Sequence, residues 1–360
     1  MNNSALPKTY GPTAQKLLLL PAQIKKGVPV APPLSRILNP ALAEIGADAF
    51  ILKEKIIVMK KLTYTMHVFV ACLLVLAAAA TSNAQATRTW VSGTGNDGNP
   101  CNRVSPCQTF SGAISKTLPG GEISVLDPHG YGSVTITKSI SINGEGTLAS
   151  LLVGSSGTGI TVNAGASDTV YIKNLDIIGA GNGSNGINWV AGNALVVEKV
   201  RIYNMTSTGI NVNKSASGFL SVANSNITNC VVGGIVATTS AGTLRAEIDN
   251  TKVFGCGVGY KAIANMQLTI KNSSASGCGT AGFLALGPSA FMNLHGCVAT
   301  HNVNGLKTEL GGLIRIGQST VSNNITKGVD TASGGTVESY QDNYISGNPN
   351  SDAVTNIDRS

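Results

Sequence analysis

The chain has 360 residues, 42% hydrophobic, 12% charged and 5% aromatic, with 43 glycines and a formal net charge of +7. Nine of the 25 Lys and Arg and three of the 18 Asp and Glu lie in residues 1–86, which leaves 16 basic against 15 acidic groups in the other 274. The basic excess belongs to the front of the chain, so it gives no warrant for nucleic-acid binding, and no nucleic-acid partner is expected.

Residues 1–58 hold six prolines before Pro40 and show no sustained periodicity. They read as an extension that is disordered or not translated, with the true start at Met59. Met59-Lys60-Lys61 is a basic n-region, and Val68 to Ala80 (VFVACLLVLAAAA) is an apolar run of 13 residues. That run is short for a bilayer span. Ala84-Gln85-Ala86 supplies a small-x-small cleavage site, so residues 59–86 read as a signal peptide with Thr87 as the mature N-terminus. The expected location is periplasmic or extracellular, and no transmembrane segment is expected in the mature chain.

With Cys72 in the leader, six cysteines remain. Cys101 and Cys107 flank a short Pro-bearing loop, and in an exported protein a local disulfide is expected. Cys230, Cys256 and Cys278 fall three or four residues before regularly spaced glycines. They should stack on successive coils as small apolar side chains rather than as a metal site, because no CxxC pair is present. These three and Cys297 are expected unbridged, since side chains stacked in parallel reach the disulfide dihedral with difficulty.

The spacing of those glycines identifies the architecture. Gly159-Ile160, Gly186-Ile187, Gly209-Ile210, Gly234-Ile235, Gly259-Tyr260, Gly282-Phe283, Gly305-Leu306 and Gly328-Val329 follow at intervals of 27, 23, 25, 25, 23, 23 and 23 residues. A period of that size marks stacked repeats. Each repeat opens with a short alternating strand, as in Phe219 to Val222 or Gln267 to Ile270, passes a polar turn and a second strand, and begins a third at the Gly-apolar pair. This describes an all-β fold, a right-handed single-stranded parallel β-helix, over residues 140–348, with about eight coils stacked over roughly 38 Å. Residues 87–139 form a cap region and 349–360 a tail. Asn224, Asn250, Asn272 and Gln318 occupy equivalent turn positions, and a stacked amide ladder inside the turns is expected there.

In the cap, Phe110, Ala113, Ile114 and Thr117 share one helical face, so Thr109 to Thr117 can cover the open end of the first coil. Gly120-Gly121 is expected to end that helix. The order of Trp90 to Asp97 (WVSGTGND), Cys107 to Ile114 (CQTFSGAI), Gly120 to Leu126 and Val134 to Ile142 (VTITKSISI) resembles the N-terminal end of secreted pectin lyase-like β-helix proteins. The resemblance extends by repeat to residues 150–348. It implies the superfamily fold and leaves the activity open, because that fold hosts lyases, hydrolases, esterases, epimerases and non-catalytic surface proteins.

No catalytic motif of those enzymes is legible. The richest stretch is Arg245, Glu247 and Asp249 on one outward face, with Lys271 and His295 beyond Asp249, Arg315 beyond Glu247 and Glu198 two coils before. This patch reads as a shallow sugar-binding or catalytic surface, or as a solvated face of weak ion pairs. Asn96, Asp97 and Asp127 read either as a structural calcium site or as a turn; no other cofactor or metal is expected. Trp189 is placed either outward, against a sugar ring, or in the core. His129 and His301 read as loop or turn residues. The expected function is a secreted, monomeric, non-catalytic β-helix protein binding glycans or other surface partners. The alternative is a polysaccharide lyase or hydrolase acting on acidic, pectin-like glycans.

Overall fold

A computed structural model describes residues 35–79 and 85–358, and the chain divides into two units, Met1–Ser82 and Asn83–Ser360. In the first unit Ser35–Ala79 is one helix of 45 residues, α1. Residues 35–58, part of the extension expected to be disordered or not translated, are helical here, where strong helix formers such as Ala, Leu, Glu and Lys dominate from Ala41 onward. Residues 1–34 of that extension lie outside the described residues, as does Ala84 of the expected cleavage site. Within α1, Ala49–Leu74 is exposed and is long and apolar enough to cross a membrane, a test that a signal sequence near the N-terminus also meets.

The second unit is a parallel β-helix of three sheets, which we call A, B and C, with twelve, ten and nine strands. Alternation builds each coil. In Leu244–Asp249 of sheet A, Leu244, Ala246 and Ile248 are buried while Arg245 and Glu247 face solvent. Single residues in the left-handed conformation turn the chain between sheets. Asn224 (φ 52°), Asn250 (φ 42°) and Asn272 (φ 50°) lead from A to B; Asn204 (φ 58°), Asn229 (φ 54°) and Asn323 (φ 54°) lead from B to C. Asn tolerates this region better than other side chains. The periodic glycines serve a different need. A Cβ on Gly234 would lie 2.5 Å from Val253 and 2.8 Å from the carbonyl of Gly259 one coil along. The glycine period thus records close stacking at the corner where sheet C begins.

Nine successive coils contribute to all three sheets, from Thr117–Val125, His129–Gly130 and Val134–Ile136 to Leu313–Gly317, Thr320–Ser322 and Lys327–Thr331. Eight of them lie beyond residue 140, as the spacing predicts. The ninth is formed by residues expected in the cap. The capping helix itself, α2, is only Phe110–Ile114, N-capped by the Thr109 side chain and closed at Ser115. Phe110 and Ala113 are buried, and the Phe110 ring lies 5.3 Å from that of Tyr131. Gly120 and Gly121 do not end this helix; they belong to the strand Thr117–Val125, where Gly120 takes φ 76°. Cys101 and Cys107 are bridged, with Cα atoms 4.7 Å apart. At the other end the expected tail continues the stack. Thr355–Asn356 pairs with Glu338 and Ser339, and the Asp352 amide donates to the Val329 carbonyl.

The interior corner between sheets B and C changes chemistry along the stack. Met205, Cys230, Cys256 and Cys278 fill it with sulfur, and the Cys230 amide lies 3.4 Å from the Cys256 Sγ. Asn302, Asn324 and Asn348 then replace sulfur with a ladder. Asn302 Nδ2 donates to Asn324 Oδ1 (3.1 Å), and Asn324 Nδ2 to Asn348 Oδ1 (3.0 Å). The ladder expected at Asn224, Asn250, Asn272 and Gln318 is not interior, because those side chains are exposed. Asn250 does bond Asn224 (2.8 Å), but Asn272 donates to Asp249 instead (3.0 Å).

Candidate functional site on the outer face of sheet A

Parallel register sets the outward residues of sheet A in straight rows. Glu198, Ala223, Asp249, Lys271 and His295 form one. Val196, Ser221, Glu247, Thr269, Asn293 and Arg315 form the next. Arg245 stands in a third row between Phe219 and Gln267. The arrangement is the one the repeat spacing predicts, yet the side chains do not gather into one cluster. Lys271 Nζ pairs with Glu247 Oε1 at 3.2 Å, both about half exposed, a geometry worth about 0–1 kcal/mol. Asp249 accepts from Asn272. Arg315 turns away to Glu338 at 2.7 Å, and Glu198 pairs with Lys173 at 3.2 Å. His295 is exposed. Arg245 donates to the neutral Gln267 Oε1 over 3.4 Å.

Glu247 and Asp249 are alternate residues of one strand, so their backbones stand about 6.6 Å apart. Neither lines the groove of about 450 Å³ that Asn193, Ser217, Gly218, Phe219, Thr243 and Arg245 form on this face. Phe219, which the charged patch leaves out, is 42% exposed in it. Its signal in the sequence is plain alternation: Leu220 and Val222 point inward, so Phe219 points out, one coil before Arg245.

The other candidates settle into structural places. Asp97 accepts from the amides of Gln108 and Thr109 and from the Thr109 hydroxyl. Asp127 accepts from Ser92, the Gly93 amide and the Tyr131 hydroxyl. For each, burial raises the carboxyl pKa, but these hydrogen bonds outweigh it and hold the group below its ordinary range. Both carboxylates thus serve the loop around the disulfide. Among the described residues no three His, Cys, Asp or Glu side chains gather to hold a metal. Trp189 is fully buried, its Nε1 donating to the Ala191 carbonyl at 3.0 Å, with the buried Lys214 ammonium 4.1 Å from its ring. His301 is the left-handed turn residue of its coil, and His129 begins a two-residue strand beside Tyr131. The four thiols of the β-helix are buried and unbridged, and burial pushes Cys297 up to about 11 and Cys278 up to about 12.

Residues 185–349 match the family described as "Right handed beta helix region", which agrees with the coils. Among solved structures, pectate lyase Pel9A is similar at 17% identity and a TM-score of 0.47, over 77% of this chain and 79% of that one. The A-module of the Azotobacter vinelandii mannuronan C-5 epimerase AlgE6 is similar at 14% identity and 0.45, over 67% and 92%. A rhamnogalacturonan lyase is similar at 14% identity and 0.39, over 68% and 82%. No curated protein matches the sequence. The fold of the second unit is a right-handed parallel β-helix.

Proposed function

We propose that the protein is an exported β-helix that binds a glycan on the outer face of sheet A without turning it over. The observation that carries this reading is the groove between Phe219 and Arg245. It combines an exposed ring, a guanidinium whose one side-chain partner is a neutral amide, and the polar groups of Asn193, Ser217 and Thr243. Such a mixture of one apolar surface and a few convergent polar groups suits a sugar. Acid–base chemistry needs carboxyls facing the bound sugar, whereas Glu247 and Asp249 lie outside the groove and are partnered by Lys271 and Asn272. The apolar segment of α1 and the Cys101–Cys107 bridge support export, since disulfides persist in oxidising compartments.

A glycan panel read for binding and for products separately tests the reading. Retention of a glycan with no new reducing or unsaturated ends is the expected result; release of such ends makes the protein an enzyme. N-terminal sequencing of protein recovered from outside the cytoplasm should begin at Thr87, and retention of residues 59–86 there would refute the cleaved signal.

A further inference from the structure

The geometry points to a single long, uncharged glycan chain held along sheet A in two clefts of matching chemistry. This rests on the glycan-binding reading above and extends it to ligand class and length. One cleft is the groove at Phe219. The other, about 280 Å³, opens at the N-terminal end of the same face and is lined by Arg88, Trp90, Arg103, Ser124, Asn143 and Glu145, among others. Each cleft joins an aromatic ring, an arginine and an asparagine: Trp90, Arg88 and Asn143 in one, Phe219, Arg245 and Asn193 in the other.

A third ring lies between them. Trp90 is on the first strand of sheet A, Tyr171 on the fourth and Phe219 on the sixth. By register each ring is shifted one outward position from the last, so the three fall on one oblique line. Five strand spacings and two outward steps make that line about 27 Å long. Tyr171 is 40% exposed. The Lys173 ammonium lies 5.6 Å from the Tyr171 ring centroid, and the Arg88 guanidinium 5.6 Å from that of Trp90. Rings spaced along a line suit a linear polymer and are more than a disaccharide can use.

Apart from Arg245 and Arg103, which no carboxylate holds, the cations of this face are already paired, and this weighs against a polyanion. Arg88 lies 2.9 Å from Glu122, Lys173 3.2 Å from Glu198, Lys271 3.2 Å from Glu247 and Arg315 2.7 Å from Glu338. A polyuronate would have to displace those carboxylates and meet their repulsion. Sugar hydroxyls donate and accept together, so they can bridge such pairs without breaking them, while the rings meet the apolar face of the sugar.

Titration calorimetry of the full-length protein with size-graded neutral gluco- and xylo-oligosaccharides, and with oligogalacturonates of the same lengths, tests the inference. Short neutral chains should bind two per protein. Chains longer than about 27 Å should bind one per protein, about 100-fold more tightly, as two linked sites require. Trp90→Ala should reduce the short-chain stoichiometry to one and remove the 100-fold gain. Arg103→Ala, in an exposed loop, gives the same readout if Trp90→Ala fails to fold. Tighter binding of the oligogalacturonates overturns the inference. So does one-to-one binding at every length with no gain; if that binding is lost in Phe219→Ala, glycan binding at the groove survives alone. No binding by any chain of either series overturns both.

Discussion

The two faces of sheet A are made by the same strands and obey different constraints. Inward, Leu244, Ala246 and Ile248 are 0–4% exposed and packed between coils, so a change of one methylene is felt. Outward, Arg245 and Glu247 each touch one neighbouring side chain across the sheet, and both stay solvated. The inner face therefore fixes the fold, and the outer face is where the sequence can acquire a ligand at little cost in stability.

The largest expected effect tests the interior that the three sheets share, at a residue of sheet C. Tyr260 is fully buried, stacked on Phe283 at 4.9 Å, and its hydroxyl donates to the Thr251 carbonyl at 2.6 Å. Tyr260→Ala should cost about 3–5 kcal/mol in urea unfolding; a cost below about 1 kcal/mol would mean that the interior repacks freely.

Next come the two asparagine rows, which contrast interior with exterior directly. Asn324→Ala strands the Asn302 amide and the Ala299 carbonyl, each bonded at 3.1 Å. Buried groups left unpaired should make it about 2–3 kcal/mol less stable. Asn250→Gly, at an exposed left-handed turn, should stay within about 0.5 kcal/mol of the parent, since glycine accepts that conformation. Equal costs at the two sites would erase the distinction.

A smaller, local effect concerns the last partial coil. The Asp352 carboxylate accepts from the Thr331 amide at 2.8 Å and pairs with Lys327 at 3.0 Å, which lowers its pKa below the ordinary carboxylate value. Its contribution is complete above the unfolded-state pKa and is lost as pH falls through the depressed folded value. Hydrogen exchange of residues 350–357 should therefore speed up below about pH 4, and Asp352→Asn should show fast exchange already at neutral pH. Acid-insensitive exchange in the parent would exclude this anchor.

The coils were legible because two rigid requirements repeat in the sequence. The corner before sheet C has no room for a Cβ, so glycine returns every coil, and alternation then fixes which side chains of Leu244–Asp249 face out. The register of Lys271, His295 and Arg315 followed from that spacing alone. The first coil was hidden because Thr117–Val125 carries Leu118-Pro119-Gly120-Gly121, which reads as a helix stop and not as strand. The buried ladder was hidden because its position is occupied by Met or Cys in four coils before Asn takes over. Phe219 was overlooked because charge, and not outward aromatic surface, marked the patch. The groove itself depends on how the turns at Ser217 and Thr243 approach Asn193, which no spacing encodes.

The central claim, glycan binding on the outer face without turnover, is tested most directly by one paired measurement. The parent and the Phe219→Ala/Arg245→Ala double variant are titrated with the glycan that the parent retains, and the same samples are assayed for new reducing or unsaturated ends. The account predicts binding by the parent, loss of binding in the variant with melting temperatures nearly equal, and no new ends in either. Unchanged binding by the variant, or chain cleavage by the parent, would contradict it.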